Sequence, residues 1–231
     1  MSKEKKRKEF CDERSEGRAR GGGKSRNRSV LTRGHAPLSV RTLLILFIIT
    51  ACASNSTTFT VEETELIHKY AESIMPVLQI THTSDSLFLR QPSKEMNHAD
   101  MQSDIFKNLR QQMLLTVCDS AHAGVGIAAP QVGIARRLIA VQRFDKPDEP
   151  FEFYANAYII HYSDDMRIGA EGCLSVPNRR EKIERAETIV VKYDHPETLL
   201  PYRDTVSGFT AVIFQHEIDH LNGVLYIDNI E

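Results

Sequence analysis

Residues 209–221, Phe-Thr-Ala-Val-Ile-Phe-Gln-His-Glu-Ile-Asp-His-Leu, constrain the fold more than any other stretch of the chain. The apolar lead-in Phe209–Gln215 and the pattern that follows predict one buried helix over 211–221. Side chains four apart on a helix share a face. His216 and His220 can therefore reach one metal ion, and Glu217 flanks the same point, placed to handle the proton of a metal-bound water. Asp219 points elsewhere on the helix and is expected to orient neighbours rather than bind metal.

The chain has 231 residues, and its net charge of −2 averages two unlike parts. Residues 1–41 hold 13 Lys/Arg and 5 Asp/Glu, whereas 42–231 hold 16 and 26. The leader 1–41 lacks apolar periodicity and is expected to be disordered. A hydrophobic content of 41% excludes disorder for the whole. The acidic body argues against nucleic-acid binding by the folded domain. Residues 42–59 read as a hydrophobic signal or tether segment and linker. The apolar run Leu43–Ala53 is too short to span a membrane but has signal-peptide length. Ile49-Thr50-Ala51-Cys52 resembles a bacterial lipobox, with Cys52 as the residue to be lipidated. A true start near Val40 would reconcile the long basic leader with such a signal. Residues 41–53 thus point to a membrane-associated or exported lipoprotein.

Residues 60–231 form the expected catalytic domain. Thr60 and Glu63 make a capping box for a helix over 61–75, and a second helix covers 100–118. Residues 76–98 read as irregular. Arg137–Gln142, Phe151–Tyr154 and Thr188–Tyr193 read as strands. The order implies an α+β fold, with small mixed or antiparallel sheets around a central metal-binding helix and helices at the N-terminal side.

A hydrolytic metal site takes three protein ligands and an open position for water. Zinc peptidases with this helix take the third ligand downstream. Here only 11 residues follow His220, without His or Cys, and Asp228 and Glu231 are weak donors. The third ligand is therefore sought upstream. Cys11, Cys52, Cys118 and Cys173 follow no paired spacing, which argues against a disulfide framework. Cys173, in Glu171-Gly-Cys-Leu-Ser-Val-Pro177, is the best candidate, because a thiolate with two imidazoles suits ferrous iron or zinc. A third segment, Gly124-Val-Gly-Ile-Ala-Ala-Pro-Gln-Val-Gly133, lacks the following helix of a dinucleotide turn.

Together these segments resemble the peptide deformylase family, whose three motifs are a Gly-x-Gly-x-Ala-Ala-x-Gln loop, a Glu-Gly-Cys-Leu-Ser segment and a Gln-His-Glu-x-Asp-His helix. All three stand here in that order, and the resemblance runs from about Thr60 to the C-terminus. It implies an enzyme that removes the formyl group from N-formyl-methionyl peptides, including ribosome-associated nascent chains, and works in the cytoplasm. By the resemblance, Cys173, His216 and His220 bind one divalent metal ion, ferrous iron first, with zinc, nickel or cobalt as alternatives. Glu217 is the general base and acid. Gln131, Gly126 and the Leu174 backbone amide surround the formyl oxygen. Arg180 lies near the substrate backbone, and Ile127, Val212 and Ile213 line the methionine pocket. Asn178 stands where the family commonly has Gly.

Overall fold

The structure, a computed structural model, describes residues 57–120 and 123–230. The basic leader, the apolar run 42–53 and Cys52 lie outside the described residues. Among the described residues no helix is long and apolar enough to cross a membrane.

Among the described residues four helices come first: α1 (Val61–Lys69), α2 (Thr83–Leu89), α3 (His98–Gln102) and α4 (Asp104–Cys118). Helix α1 starts as its residues dictate. The Thr60 side chain accepts from the Glu63 amide, and Glu63 returns the bond to the Thr60 amide. It stops at Lys69, short of the expected 75, with Tyr70 leaving helical geometry and Glu72 at positive φ. The single helix expected over 100–118 is two. Ser103 is extended, and its hydroxyl caps α4 by accepting from Phe106 N at 3.1 Å. Local capping chemistry overrides apolar periodicity there. Residues 76–98, expected to be irregular, contain α2.

Seven strands follow: β1 (Gly126–Ala128), β2 (Leu138–Gln142), β3 (Phe151–Tyr162), β4 (Met166–Cys173), β5 (Val176–Ala186), β6 (Thr188–Asp194) and β7 (Pro201–Ser207). One antiparallel sheet has the order β1-β2-β3-β6-β7, and β4 and β5 form a separate antiparallel ribbon. The final helix, α5 (Gly208–Leu221), starts three residues before the sequence expectation.

Strand β2 explains the layering. All five of its residues are buried, so both of its faces are covered. Leu138 and Ala140 join a core with Ile67 of α1 and Phe106, Leu109 and Met113 of α4. Ile139 and Val141 join a second core with Ala211, Phe214, Ile218 and Leu221 of α5. The sheet therefore lies between α1/α4 and α5, and α5 is buried on nearly every side. Each large side chain buried this way contributes about 1.5–3 kcal/mol.

Two polar clamps fix α5. The Gln215 side chain donates to Ala186 O at 2.9 Å and accepts from Ala186 N at 3.1 Å, tying it to the end of β5. Buried Arg137 donates to Leu221 O and Asn222 Oδ1 at its C-terminal end and to Ala157 O of β3. Just beyond, Gly223 has φ +74, and a Cβ there would meet the Arg90 carbonyl. Folded contacts begin before Thr60. Thr57 and Thr58 bond to Asp100, and Phe59 enters the first core.

Candidate active site

The sheet, the ribbon and α5 meet at a cavity of about 690 Å³. One turn of α5 brings His216 and His220 together, and the end of β4 delivers Cys173. Ligand atoms of these three residues lie within 4.8 Å of one another. Cys173 Sγ is 3.2 Å from His220 Nε2. His216 Nδ1 is 2.8 Å from Glu171 Oε2, which leaves its Nε2 for the cluster.

The supporting shell comes from three elements. Arg185 on β5 donates to both Glu171 oxygens at 2.8 and 3.1 Å, and to Asp219 Oδ2 at 2.6 Å. Asp219 therefore orients the site through Arg185 and Glu171 rather than facing the cluster. The Tyr226 ring stacks on His216 at 5.8 Å between centroids, and its hydroxyl donates to Arg179 O. Sequence reasoning missed Arg185 and Tyr226. Only the β4–β5 register and the turn after α5 bring them to His216, and neither leaves a short-range mark.

Gln131 is buried in a 3-10 turn (Ala129–Val132). Its carbonyl accepts from Ala128 N at 2.8 Å, which fixes the amide plane. Its NH2 faces Ser175 Oγ at 3.3 Å and Cys173 Sγ at 3.6 Å. Glu217 is 4% exposed, and its Oε2 has no hydrogen-bond partner. Gly126 sits against it, where a Cβ would lie 2.9 Å from Glu217 Cδ and Cγ.

The electrostatics of these groups are coupled. Burial pushes the Glu217 carboxyl up to about 7, with His216 and His220 pulling the other way. Burial alone would raise Glu171, but the His216 ring and Arg185 hold it down at about 2. Burial alone would also raise the Cys173 thiol, yet His220 and His216 bring it well below its ordinary value. The cluster fits a divalent cation: a thiol inclined to ionise, two imidazoles, and beside them a buried carboxylate oxygen with no protein partner.

The cavity wall includes Gly126, Gln131, Cys173, Leu174, Arg180, Val212, Ile213, His216 and Glu217, as the sequence reading expected. His220, which reaches the cluster beside Cys173, is not on this wall, and neither is Ile127. The Ile127 side chain belongs to the first core, because strand alternation turns it away from the face that Gly126 presents. Phe209, Ala170, Asn178 and Arg179 also line the wall and were not foreseen. Asn178 has φ +59, a left-handed conformation that Asn tolerates best among residues other than Gly. Asp228, weighed as a ligand, instead pairs with Arg90 and accepts from Leu225 N.

The sequence profile of the family described as polypeptide deformylase matches residues 75–231. The chain belongs to this family. Among deformylase relatives, the peptide deformylase of Synechocystis sp. is 38% identical over 157 residues, covering 68% of this chain and 80% of the relative. Among solved structures, the Met-Ala-Ser-bound class I type b peptide deformylase of Acinetobacter baumannii matches with a TM-score of 0.61 and 34% identity. That match covers 69% of this chain and 99% of the other. The Thermotoga maritima deformylase structure matches with a TM-score of 0.59 and 30% identity, covering 68% and 98%.

Proposed function

We propose that this chain hydrolyses the N-formyl group from formyl-methionine at the start of newly made polypeptides, releasing formate. The observation that carries the reading is the pairing of two buried groups at one cluster. Gln131 holds its amide N–H groups toward Cys173, and Glu217 keeps a carboxylate oxygen without a protein partner.

Cys173, His216 and His220 would hold the cation, ferrous iron first, with zinc, nickel or cobalt as alternatives. A bound divalent cation supplies Lewis-acid activation of water at neutral pH. Glu217 accepts the proton from the attacking water and returns it to the leaving amine. The Gln131 N–H and the Leu174 backbone N–H donate to the oxygen on which charge develops. Such a donor contributes about 3 kcal/mol in comparable sites. Val212 and Ile213 offer an apolar wall to the methionine side chain, and Arg180 stands at the mouth near the substrate backbone. Because Gly126 packs directly on Glu217, space for the acyl group is small, which favours formyl over bulkier acyl groups.

The test is formate release from formyl-Met-Ala-Ser by anaerobically purified protein of determined metal content. Wild type should turn over, and Glu217→Ala should lose at least about 10²-fold in kcat with its metal retained. A fully metallated wild type that releases no formate overturns the assignment. Cleavage of internal peptide bonds without deformylation would favour a metallopeptidase.

Delivery is a separate proposal resting on residues 41–53. They tether the domain to a membrane through a lipidated Cys52; as an exported lipoprotein it would act on formylated peptides that leave the ribosome's compartment. Lipid labelling lost in Cys52→Ser supports this, and a mature chain that keeps residues 1–41 refutes it.

A further inference from the structure

The outward face of the β4–β5 ribbon carries features that deformylation itself does not use. Gly172 and Arg180 are cross-strand partners, and both line the cavity, as does Ala170. The Arg180 side chain lies over Gly172, where a Cβ would be 3.2 Å from its Cγ and Nε. The same face then runs away from the cavity, with Ala170 opposite Lys182, Ile168 opposite Glu184 and Met166 opposite Ala186. Alternate residues of a strand share a face. The β4 row is therefore apolar, and the β5 row beside it opens with two cations.

Most of both rows faces water, Ala186 alone being buried in the second core. Ile168 is 67% and Met166 51% exposed. Arg180 and Lys182 are exposed, and among the described residues neither side chain makes an ion pair or hydrogen bond. Their neighbours do: Arg179 pairs with Glu181 at 2.8 Å, and Arg185 on the inward face pairs with Glu171. A cavity of about 690 Å³ takes a ligand of drug-like size, a few residues of peptide. A longer substrate has to leave it, and this face is continuous with its mouth. From Gly172 to Met166 the row extends for about 20 Å at strand rise.

We propose that this face is a track for the substrate's own chain beyond the residues held in the cavity. It binds that chain extended, preferring acidic side chains beside Arg180 and Lys182 and apolar ones over Ile168 and Met166. The proposal rests on the deformylase reading and adds a sequence preference to it.

The experiment compares kcat/KM for formyl-Met-Ala-Ser with that for peptides of about nine residues sharing those first three. In one peptide the remainder alternates Asp and Leu, and in the other Lys and Ser. The Asp/Leu peptide should exceed both others by about threefold to tenfold, the range of one or two exposed charge pairs with an apolar contact. Lys182→Glu should abolish that advantage, and Ile168→Thr should reduce it, with tripeptide kinetics unchanged in both variants. About 0.5 M salt should mimic the loss of the charge component. Equal kcat/KM for all peptides, or an advantage that survives both substitutions, overturns the proposal. So does salt-sensitive RNA binding abolished by Lys182→Glu with the peptide ranking unchanged. Failure of the wild type on the tripeptide would instead sink the deformylase reading.

Discussion

At Gly126 the absence of a side chain is what positions the neighbouring acid. A Cβ would press on the Glu217 carboxylate, which is buried and has little room to turn. Gly126→Ala should lower kcat by about 10²-fold, the order expected when a reacting group is displaced by about 1 Å. The far-UV spectrum and metal content should stay unchanged, and formate release with metal analysis on one sample checks both. Glu171 shows the opposite economy, since one carboxylate serves His216 and Arg185 together. Glu171→Gln leaves the buried Arg185 cation with the Asp219 carboxylate and a neutral amide, at a cost of about 1–3 kcal/mol. Metal affinity should fall by about 10–100-fold through the freed His216 ring. Urea unfolding and chelator competition read the two effects separately. The Cys173, His216 and His220 cluster was legible in the sequence because helical spacing and the scarcity of other donors point to it. Arg185 was not, since nothing local connects it to His216.

Among the elements, legibility followed the range of the interaction. The start of α1 is written in four adjacent residues, Thr60 to Glu63, and forms as they imply. Strands β4 and β5 were not legible. Met166–Cys173 and Val176–Ala186 are rich in Gly, Arg, Glu and Lys and keep one face in water. Strand preference reflects packing more than backbone chemistry. The break between α3 and α4 was missed because apolar periodicity runs through it while the caps do not. Asp100 sits at that break. Burial would raise its carboxyl, yet donors from Thr58, Asn97 and Thr57 hold it below the usual carboxylate range. Its contribution to stability is therefore complete above the unfolded value of about 3.9 and is lost as pH falls through the lower folded value. Asp100→Asn should be less stable than wild type by about 1–2 kcal/mol at pH 7. The gap should close on acidification below about pH 4, as urea melts across that range would record.

For the whole molecule, the two large cores stand apart from the candidate cation cluster, and only a small third cluster of Val176, Ile183, Leu225 and Tyr226 packs against Cys173. The first core packs α1 and α4 on one side of the sheet, the second packs α5 on the other, and neither includes Cys173, His216 or His220. Chelation should therefore abolish formate release while leaving the far-UV spectrum intact. The melting temperature should fall with the free metal concentration as linkage requires, and restoring the ion should restore turnover. A protein that unfolds on chelation would place the ion inside the folding unit. The strand order also shows how the candidate cluster is assembled. The ribbon β4–β5 is inserted between β3 and β6, which are neighbours in the sheet. Cys173 rides on that insertion, 47 residues before His220. An ion bound by both closes a long loop of chain, as a disulfide would, and its entropic effect grows only slowly with the length of that loop. Such an ion would be a reversible staple between the inserted ribbon and the last helix.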